Sequence, residues 1–174
     1  MPEDEQGGFR KGRGCVDQIF ALRQLVEKCQ KTGKKLYAAF MDLEKAYDKI
    51  DREGLWKVIQ MYGIEGKLLE GIKSFYKGSK ACVKSDDILS DWFDVNVGLR
   101  QGCVMSTWLF NLFMDATMKE VRRRRGEKGV ELLYGNERWK VSHLLYADDA
   151  VLLASSKEEL REFVECFVEV CRDM

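Results

Sequence analysis

The sequence has one proline, Pro2, and one histidine, His143. Beyond Pro2 no proline breaks a helix or strand, so elements must end on glycine and short polar residues. One histidine cannot supply a His-rich metal site. The six cysteines, at 15, 29, 82, 103, 166 and 171, form no C-x-x-C pair, which excludes the common structural zinc patterns. They are expected to be reduced, mostly buried thiols of an intracellular protein, in cytoplasm or nucleus. No apolar run is long enough to span a bilayer, so no membrane association is expected. The start, Met1-Pro2-Glu3-Asp4-Glu5-Gln6, is acidic and polar and lacks the layout of a signal peptide. Lys plus Arg and Asp plus Glu number 29 each, so there is no basic excess of the kind nucleic-acid binders usually carry. Only segregation of charge by face leaves that partner open. No repeat, linker or low-complexity segment divides the 174 residues, of which 45% are hydrophobic. One domain, or a large piece of one, with a sizeable core is expected.

What is present is organised around His143-Leu-Leu-Tyr-Ala-Asp-Asp-Ala-Val-Leu-Leu153, two adjacent carboxylates between two short apolar runs. Each run suits a buried strand. Adjacent Asp residues inside such a hairpin need solvent, a partner or a metal. A plain polar turn is the competing reading. Upstream, Gly7 to Gly14 is glycine-rich and basic. Its amides with Arg10, Lys11 and Arg13 suit phosphates, or form a solvated lead-in. The spacing predicts a helix over Cys15–Lys31 and a buried strand over Leu36–Met41 ending at Asp42. A short polar connection carries Tyr47, and two further helices, Arg52–Tyr62 and Glu65–Tyr76, follow. Strand-like alternation appears over Ser79–Lys84 and Trp92–Val97. A tight Gly98-Leu-Arg-Gln-Gly102 segment precedes a long helix over Met105–Arg125, which ends in four arginines. These arginines either cap the helix dipole or face phosphate. Strands over Gly129–Tyr134 and Arg138–Leu145 are joined by a Gly135-Asn136 turn. An amphipathic helix over Lys157–Cys171 closes the chain.

Asp42 and Asp148 fall at strand ends, with Asp149 beside the second. If their strands pair, the carboxylates converge at one sheet edge, and divalent cations between them would keep them ionised. Such hard oxygen donors suit Mg²⁺, and two ions would serve in-line phosphoryl transfer.

Three blocks closely resemble signature segments of reverse transcriptases. They are Lys35–Arg52 (Lys-Leu-Tyr-Ala-Ala-Phe-Met-Asp-Leu-Glu-Lys-Ala-Tyr-Asp-Lys-Ile-Asp-Arg), Gly98–Asn111 (Gly-Leu-Arg-Gln-Gly-Cys-Val-Met-Ser-Thr-Trp-Leu-Phe-Asn) and Tyr146–Asp149 (Tyr-Ala-Asp-Asp). The stretch Gly8–Ile19 resembles the family's segment leading into the palm. The flavour is that of non-long-terminal-repeat, LINE-like retrotransposons, with group II intron enzymes as relatives. The resemblance implies an α+β polymerase palm, a small antiparallel sheet backed by helices with the acids on its open side. Residues 1–14 would be a lead-in from the fingers and 15–174 the palm, with truncated fingers and no thumb. It implies RNA-directed DNA polymerase activity, with an RNA template, a DNA primer and deoxynucleoside triphosphates as partners. Two Mg²⁺ ions, or Mn²⁺ in their place, would be held by Asp42, Asp148, Asp149 and the Leu43 carbonyl. Tyr47 would collide with a ribose 2′-hydroxyl, and Gln101 and Gly102 would meet the incoming nucleotide and template. Arg10, Lys11, Arg13 and Arg100 would contact nucleic acid.

Val104 and Thr107 stand where the family commonly has proline. By this resemblance the family's triphosphate-gripping fingers, its downstream lysine segment, its thumb and an endonuclease domain are expected to lie outside these 174 residues. The expected activity of this chain is accordingly weak or nil. The alternative is a non-catalytic remnant acting as a binding or scaffold fragment.

Overall fold

The structure, a computed structural model, describes residues 4–134 and 137–174. The Gly135-Asn136 turn lies outside the described residues. The chain divides into two compact units, residues 1–44 with 110–174, and residues 45–109.

In the first unit, α1 (Cys15–Lys31) leads to β1 (Tyr37–Asp42), and α5 (Val104–Arg125) enters from the second unit's chain. Then come β6 (Val130–Tyr134), β7 (Glu137–Val141), β8 (His143–Tyr146), β9 (Asp149–Ala154) and α6 (Lys157–Asp173). The central sheet is antiparallel in the order β1-β9-β8. Its register pairs Phe40 with Val151 and Asp42 with Asp149, and β8 sets Leu144 against Val151 and Tyr146 against Asp149. Side chains alternate across a strand, so Phe40, Val151, Leu144, Asp42, Asp149 and Tyr146 share one face. Leu25 and Cys29 of α1 pack into a core cluster with Leu144, Leu153 and Val130. Helix α1 therefore covers part of the acid-bearing face and leaves the Asp end open. Leu152 alternates to the other face and is fully buried, as are Phe163 and Phe167 of α6, which packs against β9 and β1. Ser156 caps α6 by accepting a hydrogen bond from the Glu159 amide at 3.1 Å.

The predicted strand over Arg138–Leu145 is two strands. It changes partner at Ser142: β7 forms a separate ribbon with β6, while β8 joins the central sheet. The cysteines are all free, but only Cys29 is buried; Cys15 is exposed and the other four are half-buried. Cys82 and Cys103 lie outside every helix and strand, where apolar spacing marks no inward face.

In the second unit a short helix, α2 (Ala46–Lys49), breaks the expected polar connection. Helices α3 (Arg52–Met61) and α4 (Gly66–Tyr76) follow, and Asp51 caps α3 by accepting from the Gly54 amide at 2.7 Å. The alternating stretches are reduced to two-residue strands, β2 (Lys80–Ala81) with β5 (Phe93–Asp94), and β3 (Lys84–Ser85) with β4 (Ile88–Leu89). Ile88, Leu89 and Phe93 are exposed, so no buried face extends the ladders.

Candidate active site

Asp42 ends β1 and Asp149 opens β9, directly opposite each other on adjacent strands. Opposed Cβ atoms in an antiparallel pair stand about 5 Å apart, and like charges so placed repel. Both are exposed, and Asp148 and Leu43 are half-buried. Among the described residues none of the side chains of Asp42, Asp148 and Asp149 has a hydrogen-bond or ion-pair partner. Asp148 is the second residue of the two-residue turn between β8 and β9, and Ala147 is the first. Ala147 takes a φ of 56°, the left-handed region that an alanine rarely adopts. An open groove of about 360 Å³ runs beside the carboxylates, lined by Ile19, Leu22, Phe40, Tyr146 and Val151.

The carboxylates offer hard oxygen donors of the kind Mg²⁺ prefers. Two carboxylates matched in register with nothing to neutralise them also fit a cation. Among the described residues no three His, Cys, Asp or Glu side chains are gathered to hold a metal ion.

A polar clamp missed by sequence reading holds the turn. Residues 5–7 lie along the free edge of β8. The Leu145 amide donates to the Glu5 carbonyl at 2.9 Å, and the Gly7 amide to the Leu145 carbonyl at 2.8 Å. Gln6, 2% exposed, points under the hairpin. Its Oε1 accepts from the Ala147 amide at 3.0 Å and from the Gly8 amide at 2.7 Å. Its Nε2 donates to the Ala147 carbonyl at 3.3 Å. Nothing in the sequence signals this, because Gln6 and Ala147 are 141 positions apart.

Of the lead-in's basic residues, Arg10 and Arg13 meet Asp4 at 3.4 and 3.0 Å, and Lys11 is exposed. Arg123, Arg124 and Arg125, at the end of α5, have partners within the fold. Arg123 and Arg124 bind Glu120, and their hydrogen bonds hold its carboxyl down to about 2. Arg124 also reaches Asp173 at 2.8 Å. Arg125 lies 3.7 Å over the Phe163 ring and 3.4 Å from Glu159, fastening α5 to α6.

In the second unit, the Leu99 amide donates to the Tyr47 carbonyl at 2.7 Å, and the Gly98 amide to the Ile50 carbonyl at 2.8 Å. Gln101 donates to Asp48 at 3.0 Å. Tyr47 is half-buried, while Gln101 and Gly102 are exposed. Gly98 has φ 78°, and a Cβ there would sit 2.7 Å from the Asp48 carbonyl oxygen, so only glycine admits this approach. Arg100 donates to Ser79 at 3.0 Å and lies 5.9 Å over the Tyr76 ring. A second residue missed by sequence reading organises this loop. Arg52, 9% exposed, donates to the carbonyls of Gly98, Val95, Val97 and Tyr76 at 2.9, 2.8, 3.2 and 3.3 Å.

The fold is that of known polymerases. Telomerase from Candida albicans, in complex with a fragment of telomeric RNA, superposes with a TM-score of 0.68 over 92% of this chain and 28% of that one, at 11% identity. Apo telomerase from Candida tropicalis gives 0.59 over 86% of this chain and 30% of that one, at 17% identity. These likenesses define a polymerase palm-like fold of helices around a small antiparallel sheet. The family model described as Reverse transcriptase (RNA-dependent DNA polymerase) matches residues 2–174, and the chain belongs to that family. Relatives include the transposon TX1 149 kDa protein of Xenopus laevis, 30% identical over 89% of this chain and 12% of that protein. The Pol polyprotein of retrotransposable element R2 from Nasonia vitripennis is 27% identical over 91% of this chain and 15% of that protein. The RNA-directed DNA polymerase of mobile element jockey from Drosophila funebris is 29% identical over 94% and 17%. The chain thus spans 12–17% of the length of these relatives. Among the described residues no helix is long and apolar enough to cross a membrane.

Proposed function

We propose that this chain carries the catalytic palm of an RNA-directed DNA polymerase, extending a DNA primer with deoxynucleotides on an RNA template. The observation that carries the reading is the register match of Asp42 with Asp149. Two segments remote in sequence meet at one sheet end as unpartnered carboxylates, beside the turn that bears Asp148. Asp42, Asp148, Asp149 and the Leu43 carbonyl would hold two Mg²⁺ ions, or Mn²⁺ in their place. When bound, the metal supplies charge neutralisation for in-line attack of a primer hydroxyl on a nucleoside triphosphate. The remaining work falls to the chain itself. Tyr47 excludes a 2′-hydroxyl by bulk, and Gln101 and Gly102 meet the incoming nucleotide and template. Arg10, Lys11, Arg13 and Arg100 are the candidates for backbone phosphate contact, with Lys11 the most available of them. The telomerase likeness, in a structure that includes RNA, supports a nucleic-acid template.

Primer extension by the wild-type chain and by Asp148→Asn tests this. Extension that disappears in the variant supports the reading, because the substitution keeps side-chain size and removes the charge. Extension that survives it sinks the assignment. No extension by either protein favours the non-catalytic remnant.

A further inference from the structure

We infer that Gln6 is a positioning residue for the Ala147-Asp148 turn, setting the geometry of the carboxylates without touching substrate. The inference rests on the reading of Asp42, Asp148 and Asp149 as metal-holding groups.

Ala147 sits at φ 56°, a conformation that costs an alanine energy and persists only when its surroundings impose it. Gln6 imposes it from both ends of one residue, gripping the Ala147 amide with Oε1 and the Ala147 carbonyl with Nε2. A side-chain amide is the group that can do both: a carboxylate has no donor, and an alkyl chain has neither function. The grip is itself anchored. Gln6 Oε1 also takes the Gly8 amide at 2.7 Å, and buried Asn111 donates to the Gly8 carbonyl at 2.9 Å. Gly8 lies so close to the turn that a Cβ on it would fall 2.2 Å from the Ala147 nitrogen, so this segment cannot be displaced by a bulkier one. The backbone pairing of residues 5–7 with Leu145 fixes the register of Gln6 under the hairpin. Asp148 and Asp149 immediately follow the gripped residue, so the backbone that presents them is held by a side chain 141 positions upstream of Ala147.

The first test needs no substitution. The amide of the first residue in a two-residue hairpin turn ordinarily faces solvent. Here it is donated to buried Gln6, so by NMR its hydrogen exchange should be slowed by about 100-fold or more relative to an unprotected amide. Exchange at the unprotected rate would overturn the inference. The second test compares wild type with Gln6→Met, which keeps length and volume but makes neither hydrogen bond. Protection of the Ala147 amide should vanish, and the Mn²⁺ dissociation constant, read by electron paramagnetic resonance, should rise about tenfold. Primer-extension kcat should fall about tenfold or more, with KM for primer–template unchanged, because a displaced carboxylate slows the step without loosening nucleic acid. Unchanged Mn²⁺ affinity and kcat in a folded Gln6→Met protein would overturn the inference, and so would retained protection. If that variant does not fold, the wild-type exchange rate decides alone. Absence of Mn²⁺ binding by the wild type would refute the proposed function, and the clamp would then stand or fall on the Ala147 amide.

Discussion

Acidification should destabilise this protein through His143. His143 is 2% exposed on β8, with Nδ1 2.9 Å from the Ser142 hydroxyl. Burial holds its pKa down to about 4, assisted by Arg122 and Arg125 and opposed by Asp115. In the unfolded chain it titrates near about 6.5. Above that value the imidazole is neutral in both states and the full stability is present. Between about 6.5 and 4 only the unfolded chain takes up the proton, so stability drains away as pH falls; below that window the folded chain takes it up too and the loss levels off. From pH 7 to pH 5 the loss amounts to about 2 kcal/mol, which lowers Tm by about 4–8 °C in a chain of this size. Glu120, held near 2 by Arg123 and Arg124, contributes stability above the ordinary glutamate range, so its loss begins at lower pH and does not overlap the upper half of the histidine window. The assay is thermal unfolding by circular dichroism at constant ionic strength, for wild type and His143→Gln. The wild-type Tm should fall across pH 7–5 and the variant's should stay level, whatever its absolute value. A level wild-type profile, or equal slopes in both proteins, would refute the assignment of a buried neutral histidine.

Two further expectations follow from the second unit. Arg52→Met should cost about 3–5 kcal/mol in urea unfolding, because four carbonyls lose a charged donor inside the fold; a loss below about 1 kcal/mol would show that the loop does not depend on it. In an active preparation, Tyr47→Ala should narrow the preference for deoxynucleotides over ribonucleotides by about 10–100-fold in kcat/KM, and unchanged discrimination would remove Tyr47 from the role of sugar gate.

The long elements were legible because their apolar period is sustained. Helices α1, α3, α4, α5 and α6 and strand β1 lie where spacing puts them, and the β8–β9 hairpin closes at the adjacent Asp pair as expected. Local signals failed where partner choice decides. The break at Ser142 depends on which sheet each half joins, and the short strands between Lys80 and Asp94 have no buried face to reveal them. The meeting of two remote acids was legible, but not which ones: the expected strand-end pair was Asp42 and Asp148, whereas the register sets Asp149 opposite Asp42 and leaves Asp148 in the turn. The supports of the site were not legible. Gln6 and Arg52 act through backbone groups of distant residues, and a backbone carbonyl leaves no mark in a sequence. The arginine run shows what else a sequence hides: Arg123, Arg124 and Arg125 engage Glu120, Glu159, Asp173 and the Phe163 ring, none of them marked by the run itself.

The register that joins Asp42 to Asp149 closes a chain separation of 107 residues (149 − 42). Strand β1 leaves the ribosome well before β9 and has no strand to pair with until β9 has been made. Through that interval Phe40, which stays 73% exposed even in the finished fold, sits on an unpaired apolar segment. Long-range pairing of this kind slows folding and lengthens exposure to wrong partners. Assembly of the acidic pair is therefore among the last events in forming the sheet. A nascent or partly folded chain displays neither half of the pair in reach of the other, and the two carboxylates face each other only when the sheet closes.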